Sequence, residues 1–209
     1  LIKTLAEFHM VDYSEIGLDD LGKPIRFVER QVSGWKKRWD NAKHEDLDSV
    51  EKIYSWLIKN IPNNNQFSII HNDYKLDNVM FDNNDPGKIT AIFDWDMCTI
   101  GDPLCDLGSL LSYWCTPSDP AFFQQASTMP IDDRFYSREK LVNEYAAISG
   151  YDVSNIRFYH VLGLYRLIGI AAQIYIRFLR GQTKDDRFAI FGDMIDLVSR
   201  HGIDLIADA

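Results

Sequence analysis

The stretch IIHNDYKLDNVMFD (residues 69–82), followed shortly by KITAIFDWD (residues 88–96), decides how this chain is read. Its first residues continue the apolar run Phe67–Ile70, which has the length and composition of a strand. A polar segment from His71 to Asn78 interrupts the pattern, and Val79–Phe81 resumes it. Asp82-Asn83-Asn84-Asp85-Pro86-Gly87 is turn chemistry, so Val79–Phe81 and Lys88–Trp95 are expected to pair as a hairpin with a six-residue loop. Alternation along the second strand sets Ile89, Ala91 and Phe93 on one face and Thr90, Ile92 and Asp94 on the other. Asp94 is therefore expected at the end of a buried strand.

Outward from this β region the pattern is helical on both sides. LIKTLAEFHMVDY (1–13) has Leu1, Leu5, Phe8 and Asp12 at helical spacing, with no capping residue ahead of it, as though the chain starts in mid-element. Gly17, Gly22 and Pro24 mark a loop. Phe27 to about Lys43 reads as a polar, exposed helix with Val28, Val32, Trp35 and Trp39 along one side. Glu45–Asn60 is the clearest helix, its stripe running through Val50, Ile53, Tyr54, Leu57, Ile58 and Ile61 before Pro62 and the turn PNNNQ (62–66) end it. Beyond the β region, Asp102 and Pro103 supply an N-cap and a first-turn proline for a helix carrying Leu104, Leu107, Leu111 and Trp114. A loop over 116–136 follows, then a helix over 138–149 closed by Gly150, a long apolar helix over 154–181, and a last helix over about 185–201.

Composition bounds the answer. Of the 209 residues, 46% are hydrophobic and 25% charged, which is ordinary globular usage and enough to bury a core. There is no internal repeat or linker, so residues 1–209 are expected to form a single domain. The 22 lysines and arginines face 31 acids, a net charge of −9, so no nucleic-acid backbone interface is expected. Cys98, Cys105 and Cys115 are odd in number and form no CxxC pair, which supports neither a disulfide framework nor a structural zinc site. This cysteine usage fits a reducing, cytoplasmic setting, which is the expectation. The most apolar run, Leu167–Ile176, is bounded by Arg166 and Arg177 and is too short to span a bilayer, so no membrane association is expected.

The chemistry lies in the polar segment. His71, Asp73 and Asn78 form an HxDxxxxN loop directly after a strand, and Asp94 follows sixteen residues past Asn78 at the end of the hairpin. That order is the arrangement of a kinase catalytic loop and its metal-binding aspartate. Phosphoryl transfer asks the protein for a carboxylate that orients the attacking hydroxyl and for hard oxygen ligands to magnesium. Asp73 suits the first task; Asn78 and Asp94 suit the second. Asp96 is either a second metal ligand or a solvated acid. Lys75 is either a point charge reaching the γ-phosphate or a solvated lysine. His71 is expected to brace the loop rather than carry a proton. In GDPLCDLG (101–108), Asp106 lies in the first turn of a helix, where an acid is favoured by the dipole, and it is expected to reach back to the catalytic-loop backbone.

Taken together, IIHNDYKLDNVMFD…ITAIFDWDMCTIGDPLCDLG resembles the aminoglycoside phosphotransferase and choline kinase family, small-molecule kinases with the protein-kinase-like fold. The upstream GLDDLGKPIRFVERQVSGWKKRW is similar to one branch, the phosphotransferase domains found beside acyl-CoA dehydrogenases. The resemblance covers most of residues 1–115. It implies Asp73 as catalytic base, Asn78 and Asp94 as magnesium ligands, His71 as the structural histidine of the loop and Asp106 as the acid bracing it. Asp96 stands where relatives often carry Glu. ATP and Mg2+ are the implied co-substrate and cofactor, with a small-molecule hydroxyl as acceptor. The family's glycine-rich loop and phosphate-binding lysine are missing. The expected fold is therefore α+β and mostly α: the large, helical C-terminal lobe of the protein-kinase-like fold, with a small β-hairpin region carrying the catalytic loop. By itself such a lobe is expected to be inactive. Oligomeric state stays open.

Two other readings compete. A non-catalytic pseudokinase or interaction domain would share the fold, although Asp73, Asn78 and Asp94 are all intact. FDWDMCT (93–99) also resembles the DxDxT nucleophile motif of metal-dependent phosphatases, but Cys98 occupies the Thr position, and that motif belongs on the first strand of a parallel sheet.

Overall fold

A hydrophobic helix needs partners on every side, and in the computed structural model, which describes residues 1–63 and 66–207, such a helix organises the chain. The order is α1 (Ile2–His9), α2 (Phe27–Ala42), α3 (Asp48–Lys59), β1 (Ser68–Ile70), β2 (Val79–Phe81), β3 (Ile89–Ile92), β4 (Thr99–Gly101), α4 (Leu104–Tyr113), α5 (Ala121–Ala126), α6 (Arg138–Ser149), α7 (Ile156–Leu179) and α8 (Phe191–Ala207). Helix α7 buries Phe158, Val161, Leu164, Tyr165, Ile168 and Ala172 and packs against α2, α3, α4 and α8. Its contact with α4 depends on two glycines. A Cβ on Gly163 would lie 2.7 Å from the Gly108 carbonyl oxygen, and one on Gly108 would lie 2.3 Å from the Tyr159 backbone. By length and composition α7 could cross a membrane, whereas the apolar run Leu167–Ile176 falls short. The surrounding helices bury 61% of its most apolar stretch, which is how a core helix satisfies the same composition.

The strands form two separate two-stranded antiparallel sheets. One pairs β1 with β4, matching Ile69 with Ile100. The other is the expected hairpin, with Val79 opposite Ile92, Met80 opposite Ala91, and an irregularity between Met80 and Phe81. With both sheets antiparallel among the described residues, the parallel sheet required by the phosphatase reading is not there.

Several local expectations need correction. The third strand stops at Ile92, not Trp95, because Asp94 takes a left-handed conformation (φ 63°, ψ 59°) that leads into a tight turn over Trp95–Met97. Asp94 is consequently exposed and does not sit on a buried strand. β4 escaped the sequence reading because its three residues pair with a strand about thirty positions away. Within the expected loop over 116–136, α5 forms behind Pro120. Helix α3 begins at Asp48, and its Ile58 is exposed. The face of α2 named from the sequence is buried, as are Phe27 and Ala42. The expected turn PNNNQ includes Asn64 and Asn65, which lie outside the described residues.

Candidate functional site

The segment after β1 carries no regular structure, so its shape depends on specific hydrogen bonds. Asp106, in the first turn of α4, is fully buried and supplies them. Its Oδ2 accepts the His71 N–H at 2.6 Å, and its Oδ1 accepts the Asn72 N–H at 2.7 Å. The same Oδ2 lies 3.2 Å from His9 Nε2, and His9 Nδ1 is 2.7 Å from the Tyr145 hydroxyl. Asp102 caps α4 by accepting the Leu104 N–H at 3.0 Å, and it receives the Tyr159 hydroxyl at 2.6 Å. Thus the helix that packs on α7 also grips the loop.

His71 links the two halves of the site. Its Nδ1 accepts the Asp73 N–H at 3.2 Å, so its Nε2 is the protonated nitrogen and donates to the Phe93 carbonyl at 2.8 Å. Asn72 takes the left-handed conformation (φ 65°) that Asn tolerates, and its amide donates to the Met97 carbonyl at 2.9 Å. These bonds tie the loop to the segment that carries Asp94.

Asp73 is the point of convergence. Lys75 Nζ lies 2.7 Å from its Oδ2, and Asn78 Nδ2 donates to the same oxygen at 2.9 Å and to the Asp73 carbonyl at 2.8 Å. Among the described residues the Oδ1 atom accepts no hydrogen bond; Arg166 Nη2 lies 3.9 Å from it, too far for one. Burial opposes the charge on Lys75, but the bond to Asp73 and the neighbouring acids outweigh it and raise its pKa. The Lys75 ammonium also lies over the Tyr113 ring, 5.1 Å from the centroid. Beside it opens a cavity of about 160 Å³ lined by Lys75, Asp77, Tyr113, Trp114, Phe123 and Leu167. The Thr128 hydroxyl donates to Asp77 at 3.0 Å, tying the segment after α5 to the loop.

The two oxygen donors expected to hold a metal are neighbours. The Phe93 N–H donates to the Asn78 carbonyl at 2.8 Å, which puts Asp94 one residue beyond the backbone partner of Asn78. Asn78 commits its NH2 to Asp73, so its amide oxygen is the end left for a ligand. Asp94 and Asp96 are both exposed. No group of three or more His, Cys, Asp or Glu side chains is arranged to hold a metal among the described residues. A metal here would rest on a mixed amide and carboxylate set completed by other oxygens, which fits magnesium. Sequence reasoning missed Arg166, Asn72 and His9. The signal for Arg166 was a cation in the middle of a largely apolar helix, whose other arginines, Arg157 and Arg177, lie near its ends; such residues are rarely buried without a task.

A family model described as "Phosphotransferase enzyme family" matches residues 1–137. Acyl-CoA dehydrogenase family member 11 of Homo sapiens is 29% identical over 207 residues, covering 98% of this chain and 26% of the relative. Acyl-CoA dehydrogenase family member 10 of Mus musculus is 28% identical over 185 residues, covering 87% of this chain and 17% of the relative. The chain thus spans about a quarter or less of the length of these curated relatives. A crystal structure from Ralstonia eutropha, described as a "putative aminoglycoside phosphotransferase", superposes with a TM-score of 0.87 at 26% identity, over 100% of this chain and 64% of that one.

Proposed function

Because the chain belongs to the phosphotransferase enzyme family, we propose that it forms the large helical lobe of an enzyme that transfers the γ-phosphoryl group of ATP to a hydroxyl of a small molecule, with magnesium. The observation that carries this reading is the asymmetry of the Asp73 carboxylate. Its Oδ2 is held by Lys75 and Asn78, while Oδ1 accepts no hydrogen bond among the described residues. Oδ1 is then the atom that receives the hydroxyl of the acceptor and takes its proton as the new oxygen–phosphorus bond forms. Holding one oxygen fixed leaves the other aimed, so the acceptor is oriented before reaction.

Lys75 is charged at neutral pH, the more so with its pKa raised, and from its place beside Asp73 it steadies the transferring phosphoryl oxygens. Asn78 and Asp94 would hold magnesium, whose charge offsets that of the phosphates. Asp96 follows Asp94 on the exposed turn and is available as a further oxygen ligand. His71 and Asp106 take no part in the chemistry; they fix the backbone that presents Asp73.

The test is Asp73→Asn in the protein that carries this chain, assayed for ATP-dependent phosphorylation of a panel of hydroxyl compounds. The exchange keeps the shape and removes the base, so kcat should fall by about 10²–10⁴ with a melting curve close to that of the wild type. Undiminished turnover in Asp73→Asn would overturn the assignment.

A further inference from the structure

Arg166 is unusual within this fold. It projects from the middle of α7 and is only 8% exposed. A buried guanidinium carries five N–H donors and is costly unless they are met. Among the described residues its Nε has no hydrogen-bond partner, and its Nη2 meets the weak acceptor Met97 Sδ at 3.6 Å. The nearest carboxylate oxygen, Asp73 Oδ1, lies at 3.9 Å, outside hydrogen-bond range. The guanidinium is 5.6 Å from the centre of the Trp35 ring on α2, which holds it in place without satisfying its donors.

Its side of Asp73 identifies the ligand. Lys75 and Asn78 occupy Oδ2, so that oxygen of Asp73 is the one turned to nucleotide and metal in the function proposed above. Arg166 flanks Oδ1, the oxygen assigned to the acceptor hydroxyl. We propose that Arg166 is the specificity-determining residue of the acceptor site, binding an anionic oxygen group, a carboxylate or a phosphate, that the acceptor carries near its reacting hydroxyl. The planar fork of the guanidinium suits two such oxygens at once. An acceptor with an ammonium group in the same place meets a buried cation and is rejected.

This inference rests on the phosphotransferase reading for its assignment of sides, and the experiment separates the two. Matched probes of opposite charge, 3-hydroxypropionate with 3-aminopropan-1-ol and 5-hydroxypentanoate with 5-aminopentan-1-ol, are titrated calorimetrically into the full-length protein and assayed as acceptors with ATP and magnesium. The wild type should bind at least one hydroxycarboxylate roughly tenfold or more tighter than its matched amino alcohol. Arg166→Met should abolish that preference, and Arg166→Lys should keep part of it, as loss of the planar fork but not of the charge predicts. In steady state the loss should fall on the KM of the acceptor and leave the KM of ATP within about twofold. Equal binding of the paired probes, preference for the amino alcohols, no binding of either, or an unaltered preference in Arg166→Met would each overturn the proposal. The wild-type comparison stands even if Arg166→Met fails to fold. Arg166-dependent binding of the carboxylates without any ATP consumption would instead uphold the anion site and remove the phosphotransferase reading.

Discussion

Asp106 is a carboxylate with no exposure to solvent, and its two oxygens are taken by the N–H groups of His71 and Asn72 and by the ring of His9. An asparagine there would offer one acceptor oxygen, and its NH2 would face a backbone N–H. Asp106→Asn should therefore cost ~3 kcal/mol in urea unfolding, the range for breaking a buried charged hydrogen-bond set. A change below about 0.5 kcal/mol, the scale of an ordinary surface substitution, would show that the loop is held by something else. The contact of Asp106 with the loop backbone was expected from GDPLCDLG, and the nearness of Asp73 and Asn78 from the HxDxxxxN spacing. The left-handed backbone of Asn72 and Asp94 was not: that of Asn72 goes with a bond to the Met97 carbonyl, far away in sequence, and that of Asp94, which ends the strand at Ile92, is announced by no glycine.

Between elements, α4 and α7 approach closely through Gly108 and Gly163. Gly163→Ala would press a methyl group against the Gly108 carbonyl and the Ser112 hydroxyl, where the obstacle is largely backbone and cannot move aside. A loss of ~1–3 kcal/mol is expected from such overpacking. Gly34 provides the contrast. It lies inside α2, and an added Cβ meets only the far end of the flexible Arg38 side chain at 3.2 Å. Gly34→Ala should stabilise the protein by ~0.5–1 kcal/mol, since glycine is a poor helix former. Denaturant midpoints for the two variants should move in opposite directions; a shared direction would refute this account of the packing. Helical stripes made most elements visible in advance, and Gly150 marked the end of α6; its start is capped by Ser137, whose hydroxyl accepts the Lys140 N–H. The elements that escaped, β4 and α5, are three and six residues long. Segments that short hold too few residues for a period to register, and tertiary contacts decide their form.

Across the whole molecule, acid should be the weak direction. His160 is buried near Arg138 and His201, and burial, more than these neighbours, holds its pKa down at about 3. The unfolded chain would protonate the same ring near 6.5. Between those values the unfolded state binds the extra proton, so stability is fully present above about pH 6.5 and falls as pH drops toward 3, by at most ~1.4 kcal/mol per pH unit from this residue. Asp119 works in the same direction. Burial alone would raise its pKa, but the paired bonds from Arg138, at 2.8 and 2.9 Å, and those from Thr116 lower it. Its contribution is present above the ordinary carboxylate range and is lost as pH falls through its lowered value. Urea midpoints measured from pH 7 down to 5 should decline in the wild type and flatten in His160→Phe; an equal slope in both would assign the acid sensitivity elsewhere. Asp106 also sets a clock for the loop it grips. Irregular segments normally trade their amide protons with solvent within seconds, yet the His71 and Asn72 amides point at a carboxylate rooted in α4, which is packed on α7. In deuterium-exchange measurements these two amides should be retained as long as those of the core helices and be released only by global unfolding, leaving the loop beneath Asp73 as slow to open as the helices around it.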